Sequence, residues 1–180
     1  MTPDISIIIP FLNEEDNIPG LVKDLNNYLG SLSPEFEVVF VDDGSTDNSV
    51  KMLQDAKHDN YQAKVVKLSK NFGSLPALSA GINHASSDIV TFLYADLQDP
   101  LNLVERLYIT LQKNNDIVWA CRNFAYKENR FFSKFYAFLM RKYAVSNFPE
   151  NGFDVVMFNR KVKEELKNQS EGHSSIFLQI

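Results

Sequence analysis

Apolar residues occur along this chain in short runs separated by polar turns, and their spacing alternates between two periods. "ISIII" (5–9) is a continuous β-branched run closed by Pro10, the pattern of a strand buried on both faces of a parallel sheet. Ile18, Leu21, Val22, Leu25 and Leu29 then recur at helical spacing within 15–29, which predicts a helix with one apolar face. "FEVVFV" (36–41) predicts the second strand. In the "DDGSTDNS" that follows, Gly44 turns the chain, and Ser45 or Thr46 can cap a helix carrying Val50 and Leu53. "AKVVKL" (63–68) predicts the third strand, with a helix over roughly 75–85 after it. "DIVTFLY" (88–94) predicts the fourth strand. Pro100 stands where a helix can begin, with Leu103, Val104, Leu107 and Leu111 on one face, and "DIVWA" (116–120) predicts the fifth strand.

Strands alternating with helices predict an α/β fold with a mainly parallel sheet and right-handed crossovers. After residue 121 the rhythm breaks. "NRFFSKFYAFLMRKYAV" (129–145) reads as a helix dense in aromatics. It could pack in the core or, flanked by Arg130, Lys134, Arg141 and Lys142, lie on a membrane interface. "FDVVMFN" (153–159) alternates poorly but can form a strand, and a short polar helix is expected over about 160–168.

At 180 residues the chain suffices for one compact domain. The formal net charge of -5 argues against a general nucleic-acid binder, which needs a basic face. A lone cysteine, Cys121, cannot form an internal disulfide and reads as a small apolar residue in a reducing compartment. The first apolar run has no basic segment before it and is too short for a signal peptide. No apolar run has the length of about 18 residues that a spanning helix needs. The chain stops at the apolar, strand-like "HSSIFLQI", so the native protein is expected to continue beyond Ile180.

Ligands of open α/β sheets bind beyond the carboxyl ends of the strands, and polar clusters stand at each of these exits. Asn13 and Glu14 follow the first strand, Asp42 and Asp43 the second, Lys70 and Asn71 the third. Asp96, Gln98 and Asp99 follow the fourth, and Arg122 the fifth. The rim is therefore acidic, with two cations, although polar loops alone would account for any one cluster. No two of the seven glycines are two or five residues apart, so neither a P-loop nor G-x-G-x-x-G exists. A diphosphate on such a rim would be held through a bridging divalent cation, for which Mg²⁺ or Mn²⁺ suits carboxylate and phosphate oxygens together. The three histidines, His58, His84 and His173, have no metal-ligand spacing.

"SIIIPFLNEEDNI", "VFVDDGSTDNS", "KNFGSLPALSAGINHASSD" and "YADLQDP", in this order, resemble family 2 glycosyltransferases of the GT-A fold. They are most similar to the polyprenyl-phosphate glycosyltransferase branch that includes dolichyl-phosphate mannose synthase. The resemblance covers about residues 4–160. It implies a single GT-A domain over 1–180, mainly parallel with helices on both faces. About 1–121 would be a nucleotide-sugar-binding half and about 122–180 an acceptor half.

The resemblance also implies roles. Pro10, Asn13 and Glu14 would line the nucleotide pocket, Asp43 would hydrogen-bond the base, and Lys70 would stand near the nucleotide. Asp96 would bind the metal beside the diphosphate, with Gln98 and Asp99 close to the transferred sugar. Arg122, Arg130 and Lys134 would face the acceptor phosphate. The implied reaction moves a sugar, with inversion, from a UDP- or GDP-linked donor to a polyprenyl phosphate at the cytoplasmic face of a membrane. Two departures stand out. Tyr94 replaces the first aspartate of the family's D-x-D and is expected to pack at the strand end, and Ser74 stands where relatives often carry lysine. A family 2 enzyme using a hydroxyl acceptor, or a non-catalytic nucleotide-sugar-binding protein, are the alternatives.

Overall fold

The computed structural model describes residues 2–96, 100–120 and 155–168. The predicted helix over 129–145, Cys121 and the apolar end at Ile180 lie outside them. The strands are β1 (Ile5–Phe11), β2 (Phe36–Asp42), β3 (Gln62–Lys67), β4 (Ile89–Phe92), β5 (Ile117–Ala120) and β6 (Val155–Phe158). The helices are α1 (Ile18–Leu29), α2 (Ser49–Asp55), α3 (Ser74–His84), α4 (Asn102–Leu111) and α5 (Arg160–Asn168).

The described strands form one six-stranded sheet in the order β3-β2-β1-β4-β6-β5. β1 pairs in parallel with both β2 and β4, and β2 with β3. Pleating sends alternate residues of β1 to opposite faces. Ile5, Ile7, Ile9 and Phe11 pack with α1, α2 and α4, whereas Ile8 packs with α3 and α5. Burial on both faces is why the first strand reads as an unbroken apolar run. Against β1, α3 lies so close that a side chain at Gly81 would collide with Ile8.

Strand order is a structural finding, and one expectation changes. β5 does not adjoin β4, because β6 lies between them, antiparallel to both. All four residues of β6 are buried, which explains the poor alternation of "FDVVMFN": a strand covered on both faces has no solvent side to mark. The expectation that changes is the cap of α2. Its first turn is preceded by Asn48, without a side-chain capping bond, because Ser45 and Thr46 engage the neighbouring loop instead.

At the amino ends of the strands, buried Glu37 accepts hydrogen bonds from Ser6 Oγ (2.6 Å) and Ser86 N (2.8 Å) and pairs with Lys64 at 2.5 Å. Nearby, Lys163 of α5 donates to Ala85 O and Ser87 O, docking α5 against the end of α3. Burial, with a further contribution from Lys167, holds this ammonium below its ordinary pKa. His58 lies beneath α2, within hydrogen-bond distance of Leu53 O and Tyr61 Oη, a packing role rather than a metal ligand's.

Candidate active site

Helices α1 and α2 cover one face of the sheet and α3 the other, so the chain reverses its winding between β1 and β4. Such a switch point opens a crevice at the carboxyl ends of the strands. A cavity of about 310 Å³ lies there, walled by the β1 exit (Pro10 to Leu12, Glu14), by Asp43, by Asn71, Gly73 and Ser74, and by Tyr94 to Asp96. That volume is at the lower end of ordinary ligand sites.

The loops around the cavity hold one another through side chains. Asn13 N donates to Ser45 Oγ (2.9 Å), and Thr46 N donates to Asn13 Oδ1 (2.8 Å). Glu14 N donates to Ser49 Oγ (2.8 Å), Glu15 N to Asp47 Oδ2 (3.1 Å), and Asn48 N to Glu15 Oε2 (3.0 Å). Desolvation raises the pKa of the Asp47 carboxyl, but hydrogen bonds from Ser49 and Glu15 outweigh it and hold the group below its ordinary value. The "NEED" and "STDNS" segments thus form a reciprocal clasp that satisfies backbone groups both loops would otherwise leave open.

A second clasp joins β2 to the α3 loop. Asp43 accepts from Phe72 N through Oδ1 and from Gly73 N through Oδ2, at 2.7 and 2.8 Å. Gly44, at φ +84°, lets the same turn pass against Lys70 and Asn71, where a Cβ would lie 2.5 Å from the Lys70 carbonyl carbon. Asp42 lies fully buried beneath this turn, accepting from Ser45 N at 2.8 Å, and is not part of the rim.

Of the candidate residues, Pro10, Glu14, Asp43 and Asp96 line this cavity. Asn13 and Lys70 do not. Asn13 is spent on the loop clasp, and the Lys70 ammonium lies 5.1 Å from the centre of the exposed Phe72 ring, a cation–π contact. Tyr94 also departs from expectation, being 37% exposed and part of the cavity wall rather than packed behind it. Gln98, Asp99, Arg122, Arg130 and Lys134 lie outside the described residues. Phe11, Leu12, Asn71 and Ala95 complete the wall. Asn71 is the polar residue already noted at the third strand exit; no residue-type signal marks the other three, which belong to the site only through strand adjacency.

Electrostatically the wall carries three carboxylates and, among the described residues, no lysine or arginine. Its favourable features for an anion are the hydroxyls of Ser74 and Tyr94 and the start of α3, which has no side-chain cap and opens on the cavity at Gly73 and Ser74. Uncapped N–H groups and the positive end of the helix dipole meet there. Among the described residues no three His, Cys, Asp or Glu side chains cluster as a self-sufficient metal cage. The exposed carboxylate of Asp96 instead fits the way Mg²⁺ and Mn²⁺ are held at phosphate sites, by one or two carboxylates with substrate oxygens and water completing the shell.

Comparison with known proteins agrees with this architecture. The Glycosyl transferase family 2 profile matches residues 6–176. An uncharacterized glycosyltransferase of Synechocystis sp. is 37% identical over 174 residues, 95% of this chain and 55% of that protein. Undecaprenyl-phosphate 4-deoxy-4-formamido-L-arabinose transferase of Proteus mirabilis is 40% identical over 116 residues, 63% of this chain and 35% of that protein. The chain therefore spans about half the length of one curated relative and a third of the other. Among solved structures, the mannosyltransferase PcManGT of Pyrobaculum calidifontis, in complex with GDP-Man and Mn²⁺, superposes with a TM-score of 0.62 at 23% identity, covering 92% of this chain and 47% of that one; it shares the GT-A fold. With its profile match running from β1 to beyond α5, the chain belongs to glycosyl transferase family 2.

Proposed function

We propose that this domain transfers a sugar from a UDP- or GDP-linked donor to a polyprenyl phosphate, with inversion at the anomeric carbon. The observation that carries the proposal is the switch-point cavity with Asp43 on its β2 side and Asp96 on its β4 side. β2 and β4 flank β1, so the two carboxylates leave the sheet on opposite sides of the β1 exit. A nucleotide laid across β1 would reach both, with its base towards Asp43 and its diphosphate towards Asp96 and the start of α3. The relative named for undecaprenyl phosphate supports the acceptor class.

In this reaction an acceptor phosphate oxygen attacks the anomeric carbon, the bond from that carbon to the diphosphate breaks, and the nucleoside diphosphate leaves. A phosphate monoester has a second pKa of about 6, so it is already anionic near neutral pH and needs no general base. It needs cations to approach an acidic rim, and Arg122, Arg130 and Lys134 are the residues proposed to supply them. A bound Mg²⁺ or Mn²⁺ would neutralise charge developing on the leaving diphosphate. Asp96 would hold it, with Gln98 and Asp99 beside the sugar. Asp43 contributes by fixing the loop that leads into α3.

We place the reaction at the cytoplasmic face of the membrane, where a lipid phosphate and a nucleotide sugar can meet. No helix among the described residues is long and apolar enough to cross a membrane, so the lipid would be met at the surface or through segments outside those residues. Residues 1–121 would serve the donor and 122–180 the acceptor.

The test is a product assay with undecaprenyl phosphate, Mn²⁺ and a panel of UDP- and GDP-sugars, run with Asp96→Asn alongside. Lipid-linked sugar from the parent, lost in the variant together with Mn²⁺-dependent nucleotide affinity, is the expected result. Transfer only to hydroxyl acceptors would overturn the acceptor assignment. Failure of the parent to bind UDP or GDP would overturn the whole reading.

A further inference from the structure

We infer that Tyr94 is a substrate-contact residue, its phenol hydroxyl donating a hydrogen bond to the ribose–diphosphate part of the bound nucleotide, so that part of the grip at the β4 exit does not depend on metal. The inference rests on the nucleotide-sugar reading above and adds a residue whose chemistry differs from that of the carboxylate expected at its position.

Side-chain exposure alternates beyond β4. Leu93 and Ala95 are buried at 1% and 5%, whereas Tyr94 is 37% exposed and Asp96 is exposed. Ala95 and Asp96 lie in a turn beyond β4, and the exposed side chains on either side of buried Ala95 both reach the cavity. Tyr94 and Asp96 accordingly line one cavity wall, with Ser74 and Glu14 also bordering the space. A tyrosine serving only to pack would be covered, as Tyr61 is at 7% exposure in the core. Tyr94 instead leaves a large aromatic surface open in the crevice at the switch point.

The charge of that crevice makes a neutral donor useful there. Glu14, Asp43 and Asp96 all border it, and none of its described wall residues is cationic. A diphosphate entering such a site is repelled unless donors meet its oxygens. A phenol hydroxyl carries a hydrogen-bond donor that an ionised carboxylate lacks. It can therefore donate to a phosphate oxygen or a ribose hydroxyl, as a carboxylate cannot. Its ring would also lose exposed apolar surface once a nucleotide lay over it.

The test is calorimetric titration of UDP and GDP into the parent, Tyr94→Phe and Asp96→Asn, first with EDTA and then with Mn²⁺. Tyr94→Phe keeps the ring and removes only the hydroxyl. It should weaken nucleotide binding about two- to tenfold, the range for one hydrogen bond, in both conditions. Asp96→Asn should weaken binding only with Mn²⁺. Tyr94→Ala, which removes the ring as well, should lose more than Tyr94→Phe. Equal affinity of Tyr94→Phe and parent, or a loss confined to Mn²⁺, would overturn the inference while leaving the functional reading in place. A parent that binds neither nucleotide would overturn that reading first.

Discussion

Asp43, at the end of β2, holds Gly73, the residue before α3, through a 2.8 Å hydrogen bond from the Gly73 N–H to Oδ2. The two residues are 30 apart in sequence. Their contact joins the second strand exit to the start of the helix that opens on the cavity. Oδ1 of the same carboxylate accepts from Phe72 N, so one buried side chain orders two successive backbone groups of the α3 loop. Each oxygen keeps a further lone pair, so the clasp does not prevent Asp43 from meeting a ligand as well.

Asp43→Ala is expected to destabilise the fold by about 1.5–3 kcal/mol, the value of a hydrogen bond to a charged group, and to weaken UDP or GDP binding with or without metal. Urea denaturation gives the first quantity and calorimetry the second. Unchanged stability would show that Phe72 and Gly73 do not need this carboxylate.

Gly44→Ala tests how closely the β2 exit passes the β3 exit. At φ +84° with the Lys70 carbonyl carbon 2.5 Å from a Cβ position, alanine pays the left-handed penalty of about 1–2 kcal/mol and must also displace backbone. A clear fall in melting temperature and loss of nucleotide affinity are expected. A variant that melts with the parent would refute the close contact.

Asn13 has φ 54°, a region asparagine tolerates better than most residues, and its Oδ1 accepts from Thr46 N. Asn13→Gly should relieve the backbone while losing the hydrogen bond, and Asn13→Ala should suffer on both counts. Chemical denaturation is expected to rank the parent most stable, then glycine, then alanine, with steps on the order of 1 kcal/mol. Alanine matching glycine would mean that the backbone term is negligible.

Glu37 sets an acid limit. Desolvation raises its pKa, but hydrogen bonds from Lys64, Ser6 and Ser86 outweigh it, and the net pKa lies below the ordinary value. A carboxylate depressed in the folded state contributes stability that is fully present above its unfolded pKa, about 4.3. That contribution is lost as pH falls through the folded value. The urea midpoint should therefore decline below about pH 4. Glu37→Gln should cost about 1–3 kcal/mol at neutral pH and flatten that decline. An equally steep acid loss in the variant would assign it to other groups.

Much of this protein is legible in its residues alone. The β-branched run 5–9, the helical stripe from Ile18 to Leu29 and the strand exits at Asp43 and Asp96 follow from local periodicity, since side-chain alternation and helical spacing act within a few residues. The motifs at those exits identify the family for the same reason: their residues are close in sequence.

Only the tertiary structure decided the rest. It inserts β6 between β4 and β5, a choice invisible in four apolar residues that any strand could use. It turns Asn13 from a pocket residue into a loop clasp, buries Asp42 beneath the turn that exposes the cavity to Asp43, and leaves Tyr94 open in the wall. Each outcome depends on which distant backbone group or strand lies opposite a side chain. That pairing is set by packing across the sheet, between residues some 30 or more positions apart, where local pattern carries no information.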